Sequence, residues 1–208
     1  DIETGPLSDE ELRNIIPPFD PAEVKTGNLK DPDKIAAKLT EAETNYLADA
    51  RDKAALSAVT GRVLAIGLET ALLPECLAFP SEAETLAEFW LRFKSSTAPF
   101  IGFNIFNFDL PFLIKRSWKL GVRVPGDIRP GRWWNDRFID LRDLWQLGDR
   151  QAKGSLDVIC RHFGIEGKNG NGKDFARLFE LNREKALEYL TNDLRMTRQV
   201  HHNMIGKL

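Results

Sequence analysis

Four acidic residues and one tyrosine stand at spacings that could support metal-assisted chemistry. Asp1 and Glu3 are two positions apart, Asp109 lies near the middle of the chain, and Tyr189 precedes Asp193 by four positions. Four carboxylates with no His or Cys among them offer hard oxygen ligands, which suit Mg²⁺ or Mn²⁺. These residue types therefore indicate metal-dependent chemistry, provided that the fold brings them together.

Each of these groups also has a plainer interpretation when it is taken alone. Asp1 and Glu3 point to one side of an extended segment and repel each other unless a cation neutralises them, but a solvated strand end would tolerate the pair. Asp109 stands just before Pro111 in a first helical turn, where it could merely cap the helix. The Tyr189–Asp193 spacing puts both side chains on one helix face and is common by chance. The metal interpretation therefore depends on all the groups occurring at matching structural positions.

Strands and helices alternate along the chain, and the acidic residues fall at their ends. Buried strands are predicted at residues 62–68, 76–79 and 98–103, and residues 138–145 form a strand or a strand-to-helix passage. Helices are predicted behind a capping box of Ser81 and Glu84, over residues 110–120, behind Ser155, and from Asn182 toward His202. The packed faces predicted for the first and last of these helices are Leu86, Phe89, Trp90 and Phe93, and Leu187, Leu190 and Leu194. This alternation predicts an α/β fold, and a hairpin between the second and third strands would make the sheet mixed.

Residues 6–59 separate the first strand from the second and are predicted to be a helical insertion. Residues 6–30 are rich in Pro without a sustained period, which is typical of a surface excursion. After Asp31 and Pro32, apolar residues recur at helical spacing to about Leu56. Packing, substrate guidance and partner contact all remain open as roles for this segment, within a single domain spanning residues 1–208.

The composition is that of a soluble globular protein. The chain has 208 residues, 42% of them hydrophobic and 29% charged, and it shows no apolar run long enough for a bilayer and no signal-peptide pattern. Cys76 and Cys160 have no metal-ligand spacing, so reduced thiols and a cytoplasmic location are expected. The net charge of −2 argues against binding polyanions by bulk charge, so any nucleic-acid contact would need locally concentrated basic residues. The chain starts at Asp1 without Met or a leading apolar strand, and we expect a fragment trimmed at its front edge.

Residues 129–137 combine three arginines with a pair of tryptophans, Trp133 and Trp134. Arginine beside aromatic rings is typical of surfaces that bind single-stranded nucleic acid, where cations contact phosphates and rings stack on bases. The alternative is a loop whose tryptophans are tucked under the sheet. The sequence favours neither interpretation over the other.

Together the acidic groups form three motifs that resemble those of the DEDD family of 3′–5′ exonucleases. The motif D-I-E-T is residues 1–4, G-[FY]-N-x-x-x-F-D is residues 102–109, and Y-x-x-x-D is residues 189–193. The sister subclass would carry His five residues before the last Asp, where this chain has Glu188, so the chain resembles the Tyr subclass. The resemblance is to the proofreading domain of family B DNA polymerases and its stand-alone relatives, and it covers the chain apart from the insertion.

This resemblance implies a ribonuclease H-like fold, a mixed sheet flanked by helices, and a two-metal mechanism with Mg²⁺ or Mn²⁺ ions ~3.5–4 Å apart. Asp1, Glu3 and Asp193 would hold the ion that binds the attacking water, and Asp1 would bridge to the second ion. Asp109 would act near that second ion, and Tyr189 would orient the water.

The implied reaction is hydrolysis of DNA from its 3′ end, which releases nucleoside 5′-monophosphates one at a time. The expected partner is single-stranded or 3′-frayed DNA, with RNA as the alternative, and no membrane. No polymerase domain fits in 208 residues, so the chain would be a stand-alone exonuclease or a piece of a larger protein. The expected substrate-binding residues are Thr4, Asn104, Phe108, Arg132 and Trp133.

Two other functions remain open at this point. The first keeps the chemistry and changes the substrate, as in a 3′–5′ exoribonuclease. The second is a catalytically silent module that binds nucleic acid or protein; loss of a carboxylate or of the Tyr usually marks such a module, and none is lost here. Neither the strand state of the substrate nor the biological pathway, repair or proofreading, follows from the sequence.

Overall fold

The computed structural model of the protein describes residues 1–70, 73–126, 128, 137–149, 151–152, 154–167 and 172–205. The chain divides into two compact units, one made of Asp1–Thr4 with Val63–Leu208 and the other of Gly5–Arg62. The helices and strands in the described residues are, in chain order, β1 (Ile2–Pro6), α1 (Asp9–Ile15), α2 (Pro32–Ala54), β2 (Gly61–Glu69), β3 (Pro74–Leu77), α3 (Glu82–Ser95), β4 (Phe100–Gly102), α4 (Asp109–Leu120), β5 (Phe138–Asp140), α5 (Leu141–Gln146), α6 (Leu156–His162), α7 (Phe175–Leu181) and α8 (Arg183–Ile205).

The unit formed by Gly5–Arg62 contains α1 and α2 and has a small core of its own. Leu7, Leu12 and Ala54 are buried together, with Leu47 packed against them. The long helix α2 begins at Pro32 behind the N-cap Asp31, whose side chain accepts a hydrogen bond from the Asp33 amide. The predicted helix after Asp31 is therefore confirmed, and it ends two residues earlier than expected.

Three strands form the first sheet, in the order β1–β2–β3. β2 and β3 run antiparallel, with Gly67 opposite Cys76, which confirms the predicted hairpin. Asp1, directly before β1, is joined to β2, because its ammonium donates to the Gly67 carbonyl oxygen at 3.2 Å and the Gly67 amide donates to the Asp1 carbonyl oxygen at 2.9 Å. The edge of β2 thus sets the position of Asp1.

β4 and β5 form a second sheet, parallel, with Gly102 opposite Asp140. The described strands therefore make two sheets, whereas the sequence predicted one mixed sheet. The physical reason is that β4 and β5 are only three residues long and pair with each other, and among the described strands no ladder joins them to β1, β2 or β3. The chain is nevertheless an α/β protein with both parallel and antiparallel strand pairs, as predicted.

Helices α3 and α4 pack together and hold the start of α4 in place. The capping box predicted at Ser81 and Glu84 is present at the start of α3. Arg116 of α4 forms a buried ion pair with Glu82, Nη2 to Oε2 at 2.6 Å, and the other Glu82 oxygen accepts from the Val63 amide at 2.8 Å. A buried ion pair whose second carboxylate oxygen is also hydrogen-bonded resists rearrangement, because removal of either partner would leave an uncompensated charge. This contact links α3, α4 and β2.

The C-terminal helix α8 lies at the centre of the larger unit. Leu190 is packed in a cluster with Ala65, Phe175, Ala186 and Tyr189, whereas Met196 and Val200 belong to a second cluster with α5 and α6. The aromatic face of α3, predicted to be core, is buried at Phe89, Trp90 and Phe93. In the part of the chain that the structure describes, no helix combines the length and apolarity needed to span a membrane.

Candidate active site

The first two candidate residues lie at the start of β1, Asp1 directly before the strand and Glu3 within it. Ile2 between them is buried, while Asp1 and Glu3 are only half-buried. The Asp1 side chain also accepts from the Ile2 amide at 3.1 Å, which folds its carboxylate back over the strand. Burial of Ile2 in the core therefore orients both acids toward the opposite face.

Asp193 reaches the same place from α8, where the predicted apolar stripe holds the helix against the sheet. Leu190 and Leu194 are buried, and Leu187 is half-buried. A Cβ added to Gly67 would lie 3.0 Å from Leu190 Cδ1 and 3.1 Å from Leu194 Cδ1, so β2 and α8 approach as closely as they do because residue 67 has no side chain. Asp193 itself is 2% exposed.

The structure brings these three carboxylates together. Asp1, Glu3 and Asp193 each offer an oxygen, and these oxygens all lie within 4.8 Å of one another. Three negative groups so close repel one another unless protons or a cation compensate the charge. An all-oxygen donor set of this kind fits a hard divalent cation such as Mg²⁺ or Mn²⁺.

Asp109 lies beside this carboxylate cluster and contacts its strand. It is the first residue of α4 and 6% exposed, and its Oδ1 accepts from the Ile2 amide at 3.0 Å. Phe108, not Asp109, is the N-cap residue of α4, and it makes no side-chain capping hydrogen bond. The capping interpretation of Asp109 is thus wrong, because this carboxylate bonds to β1, between Asp1 and Glu3.

Burial is the main influence on the acidity of Asp109. It raises the pKa of this carboxyl above its ordinary value of 3.8, because the charged form loses hydration, while a nearby ammonium and the Ile2 amide act in the opposite direction. A cation in the neighbourhood would compensate the same cost. Asp109 therefore has the electrostatic environment of a carboxylate that gains from a bound metal.

Tyr189 lies one helical turn before Asp193 and is 7% exposed. Its ring packs near Phe175, with centroids 6.2 Å apart, which fixes the side chain within the core cluster of α7 and α8. A Cβ placed on Gly172 would lie 3.7 Å from the Tyr189 hydroxyl oxygen, so the backbone at Gly172 passes close to this hydroxyl.

Three of the five predicted substrate-binding residues lie in the part of the chain that the structure describes. Thr4 directly follows Glu3 in β1, and Asn104 and Phe108 lie in the turn before Asp109; all three are half-buried. Arg132 and Trp133 lie outside the described residues. Arg137, at the end of the arginine-rich stretch, has a structural role, because its guanidinium donates to the carbonyl oxygens of Phe93 and Ser96 at 2.8 and 2.7 Å.

A cleft of about 780 Å³ opens next to these groups. Asp1 and Asp109 line it at one side, and its walls include the apolar side chains of Ile66, Leu68 and Phe100. Arg198 also lines the cleft and is paired with Glu69 at 2.7 Å. The cleft thus offers both carboxylates and apolar side chains to a ligand.

Two residues that the sequence interpretation passed over contribute to this arrangement. Gly67 allows the close approach of α8 to β2. The only sequence feature that could have indicated this role is a glycine inside an apolar strand. Asp140 is a 3% exposed carboxylate that bonds to the turn before Asp109. Its signal was an acid at the end of a strand, which ordinarily suggests only a helix cap.

Comparison with known proteins gives one family match. Residues 75–202 match the model of a family described as a predicted 3′-5′ exonuclease related to the exonuclease domain of PolB. This range includes Asp109, Tyr189 and Asp193, and it starts after β1 and β2. No curated protein shows significant similarity to the chain.

Proposed function

The chain belongs to the family of predicted 3′–5′ exonucleases related to the exonuclease domain of PolB, and from this premise we propose that it is a metal-dependent exonuclease that removes nucleotides from the 3′ end of DNA. The observation that carries the proposal is the meeting of Asp1, Glu3 and Asp193 within 4.8 Å, with Asp109 bonded to the intervening strand. Two of these acids lie outside the family match, so their position is support independent of it.

The proposed architecture is ribonuclease H-like, with residues 6–59 as a helical insertion. It is supported by the antiparallel β2–β3 pair, the parallel β4–β5 pair and the helices packed on them. In this arrangement β1, the start of α4 and α8 converge at one place, and they carry the three sequence motifs. The insertion corresponds closely to the separate unit Gly5–Arg62.

We assign the metal ligands to Asp1, Glu3, Asp193 and Asp109. When bound, two Mg²⁺ or Mn²⁺ ions would supply Lewis-acid stabilisation of the attacking and leaving oxygens of an in-line phosphoryl displacement. The donor set supports this assignment, because carboxylates this close and this buried need a compensating charge. Among the described residues, no His or Cys belongs to the cluster.

The reaction that we propose is attack of a water oxygen on the terminal phosphodiester phosphorus. The new P–O bond forms as the bond to the 3′ oxygen of the preceding nucleotide breaks, and that oxygen takes a proton. The released product is a nucleoside 5′-monophosphate. Tyr189 would orient the water rather than act as its sole base, because a phenol ordinarily has a pKa near ~10.

The proposed substrate-binding residues would position the DNA before the phosphodiester bond is broken. Asn104 and Phe108 lie in the turn before Asp109 and would seat the 3′-terminal nucleotide, the amide by hydrogen bonding and the ring by stacking. Thr4 would contact the same nucleotide from β1. Arg132 and Trp133 would contact the strand farther from the scissile bond, by phosphate pairing and base stacking.

The experiment that tests this proposal is digestion of a 5′-labelled single-stranded DNA with Mg²⁺, with Mn²⁺ or with EDTA. We expect a ladder that shortens from the 3′ end with either metal and no ladder with EDTA. A matched RNA strand in parallel decides between DNA and RNA as the preferred substrate. Absence of cleavage of both strands by a folded protein would overturn the enzyme proposal in favour of a silent binding module.

A further inference from the structure

The turn of residues 103–108, between β4 and α4, carries the side chains that would seat the substrate and leads directly to Asp109. At Asn104 the backbone φ is 62°, in the left-handed region, which Asn adopts more readily than other non-glycine residues but still at a cost. A Cβ on Gly102 would lie 2.4 Å from Ile105 Cγ2, so the turn also folds tightly onto the strand before it. Such a turn needs outside contacts to keep one conformation.

Asp140 provides these contacts from β5. One of its carboxylate oxygens, Oδ1, accepts from the Asn104 amide at 2.7 Å and from the Arg142 amide at 2.9 Å, and Oδ2 accepts from the Phe106 amide at 3.0 Å. Asp140 is 3% exposed. Hydrogen bonds to an ionised acceptor are stronger than neutral ones, and burial removes competing water. The Asp140 carboxylate therefore binds two backbone amides of the turn, those of Asn104 and Phe106.

A second layer of contacts orients the Asn104 side chain. Its Oδ1 accepts from Arg142 Nη1 at 3.0 Å and from Asn107 Nδ2 at 3.1 Å. These two donors hold the Asn104 amide group in one orientation. Arg142 follows Asp140 by two residues, so the end of β5 and the start of α5 fix both the backbone and the side chain of Asn104.

We propose that Asp140 is a positioning residue for the exonuclease reaction, one that fixes the turn of residues 103–108 so that Asn104, Phe108 and Asp109 meet the substrate in one geometry. This inference rests on the proposed function. Asp140 acts through the turn and belongs to no part of the carboxylate cluster of Asp1, Glu3 and Asp193.

The alternative role for Asp140 is capping of α5, to which its bond with the Arg142 amide belongs. Capping requires only that one bond. The two bonds to residues 34 and 36 positions earlier add nothing to a six-residue helix, and they account for most of the contacts of this carboxylate. The geometry therefore points to the turn as the group that Asp140 serves.

Two variants of Asp140 and one matched control separate these roles. Asp140→Asn keeps the shape but turns an NH₂ donor toward backbone amides that are also donors. Asp140→Ser retains a good helix cap, whereas its shorter side chain cannot reach the turn. Asp143→Asn, three residues on and exposed, removes a carboxylate that makes none of the described contacts to the turn.

The first readout is steady-state digestion of 5′-labelled single-stranded DNA at several Mg²⁺ concentrations. We expect both Asp140 variants to lose kcat/KM by about 10- to 100-fold, which is the effect of misplacing reacting groups by an ångström. Because the turn leads to Asp109, we also expect the half-saturating Mg²⁺ concentration to rise. Asp143→Asn should match the wild type in both. Full activity of Asp140→Ser would reduce the role to helix capping and overturn the proposal.

The second readout is amide hydrogen exchange, which does not depend on nuclease activity. In the wild type we expect the Asn104 and Phe106 amides to be protected, and in Asp140→Asn and Asp140→Ser to exchange at least about tenfold faster. Rapid exchange of both amides in the wild type would overturn the proposal without any variant, even if the variants fail to fold. A wild type that is inactive on DNA and RNA would refute the proposed function instead, whereas an active wild type matched by Asp140→Asn would refute only this inference.

Discussion

Burial determines how each carboxylate of the candidate site behaves. Asp193 and Asp109 are almost fully buried, whereas Asp1 and Glu3 are half-buried on the strand beside them. Carboxylates held this close repel one another, and burial disfavours the charged form of Asp109 in particular. The proposed divalent cation would compensate both costs.

Replacement of Asp193 by Asn should abolish hydrolysis while the fold is retained. We expect a loss of at least about 100-fold, since a ligand carboxylate helps to supply several kcal/mol of transition-state stabilisation. The assay is nucleotide release from labelled DNA, accompanied by a thermal melt. Glu188→Gln, exposed on the same helix, is the matched control and should hydrolyse at the wild-type rate. Wild-type activity in Asp193→Asn, with contamination excluded, would contradict the metal assignment.

Tyr189→Phe should slow turnover and leave stability nearly unchanged. The ring keeps its packing against Phe175, and only the hydroxyl that would orient the water is lost. We expect kcat to fall by about 10- to 100-fold, below or at the lower end of the effects of groups that transfer protons. Tyr46→Phe removes the hydroxyl of the only other tyrosine and serves as the control. Equal kcat values for the two variants would remove Tyr189 from the mechanism.

The pH dependence of stability should reveal the buried Asp109 in the metal-free protein. Because its folded pKa is raised above 3.8, its contribution to stability is complete below 3.8 and is lost as the pH rises through the folded pKa. Urea unfolding in EDTA between about pH 4 and pH 7 should therefore show a decline in the free energy of unfolding for the wild type. The Asp109→Asn variant should show a smaller decline. Parallel curves of unfolding free energy against pH for the two proteins would contradict the raised pKa of Asp109.

At the scale of elements, close approaches position the site as much as hydrogen bonds do. Gly67 lets Leu190 and Leu194 of α8 lie against β2, and Gly102 leaves room for Ile105 in the turn before Asp109. Both contacts are shorter than a side chain at the glycine would permit. The missing Cβ at Gly67 thus favours the close approach of α8 to β2, and the missing Cβ at Gly102 favours the tight turn that leads to α4.

Gly102→Ala should destabilise the larger unit. The new Cβ would lie 2.4 Å from Ile105 Cγ2, and overpacking of this kind costs about 1–3 kcal/mol. Gly126→Ala introduces the same group where nothing lies within 4 Å and should leave the free energy of unfolding nearly unchanged. Urea denaturation of both variants gives the comparison. Equal stability would mean that the turn accommodates the methyl group by moving.

At the scale of the whole molecule, the candidate site belongs entirely to one unit. Asp1, Glu3, Asp109, Tyr189 and Asp193 all lie within Asp1–Thr4 and Val63–Leu208. The other unit, Gly5–Arg62, has its own small core around Leu12. The Leu7 amide donates to the Thr60 carbonyl oxygen at 3.0 Å, so the chain leaves and returns to β1 and β2 at adjacent points.

Replacement of residues 8–59 by Asn-Gly should therefore leave the larger unit folded. An Asn-Gly pair forms a two-residue turn, and the Leu7 amide already donates to the Thr60 carbonyl oxygen, so the two ends to be joined lie next to each other. We expect the shortened protein to retain an increase of its melting temperature on addition of Mn²⁺. Loss of that increase, with an intact fold, would show that residues 8–59 contribute to the metal site. A matched Asp193→Asn version supplies the baseline.

The sequence by itself determined the local features of this protein. Helix starts at Asp31, Ser81 and Ser155 follow from capping chemistry that acts within a few residues. The aromatic face of α3 and the apolar stripe of α8 follow from helical periodicity. Three motifs of distinctive spacing, at residues 1–4, 102–109 and 189–193, were enough to indicate the family that the match over residues 75–202 shows.

Only the tertiary structure decided which groups meet and what each acid contacts. Asp109 and Asp140 both stand where a strand meets a helix, a place where an acid ordinarily suggests only a helix cap. The fold sends Asp109 to the Ile2 amide and Asp140 to the amides of Asn104 and Phe106, contacts that join residues 34 to 107 positions apart. Local patterns contain no information on such distances, because these contacts depend on how β1, β4, β5 and α8 pack. The division of the strands into two sheets escaped prediction for the same reason.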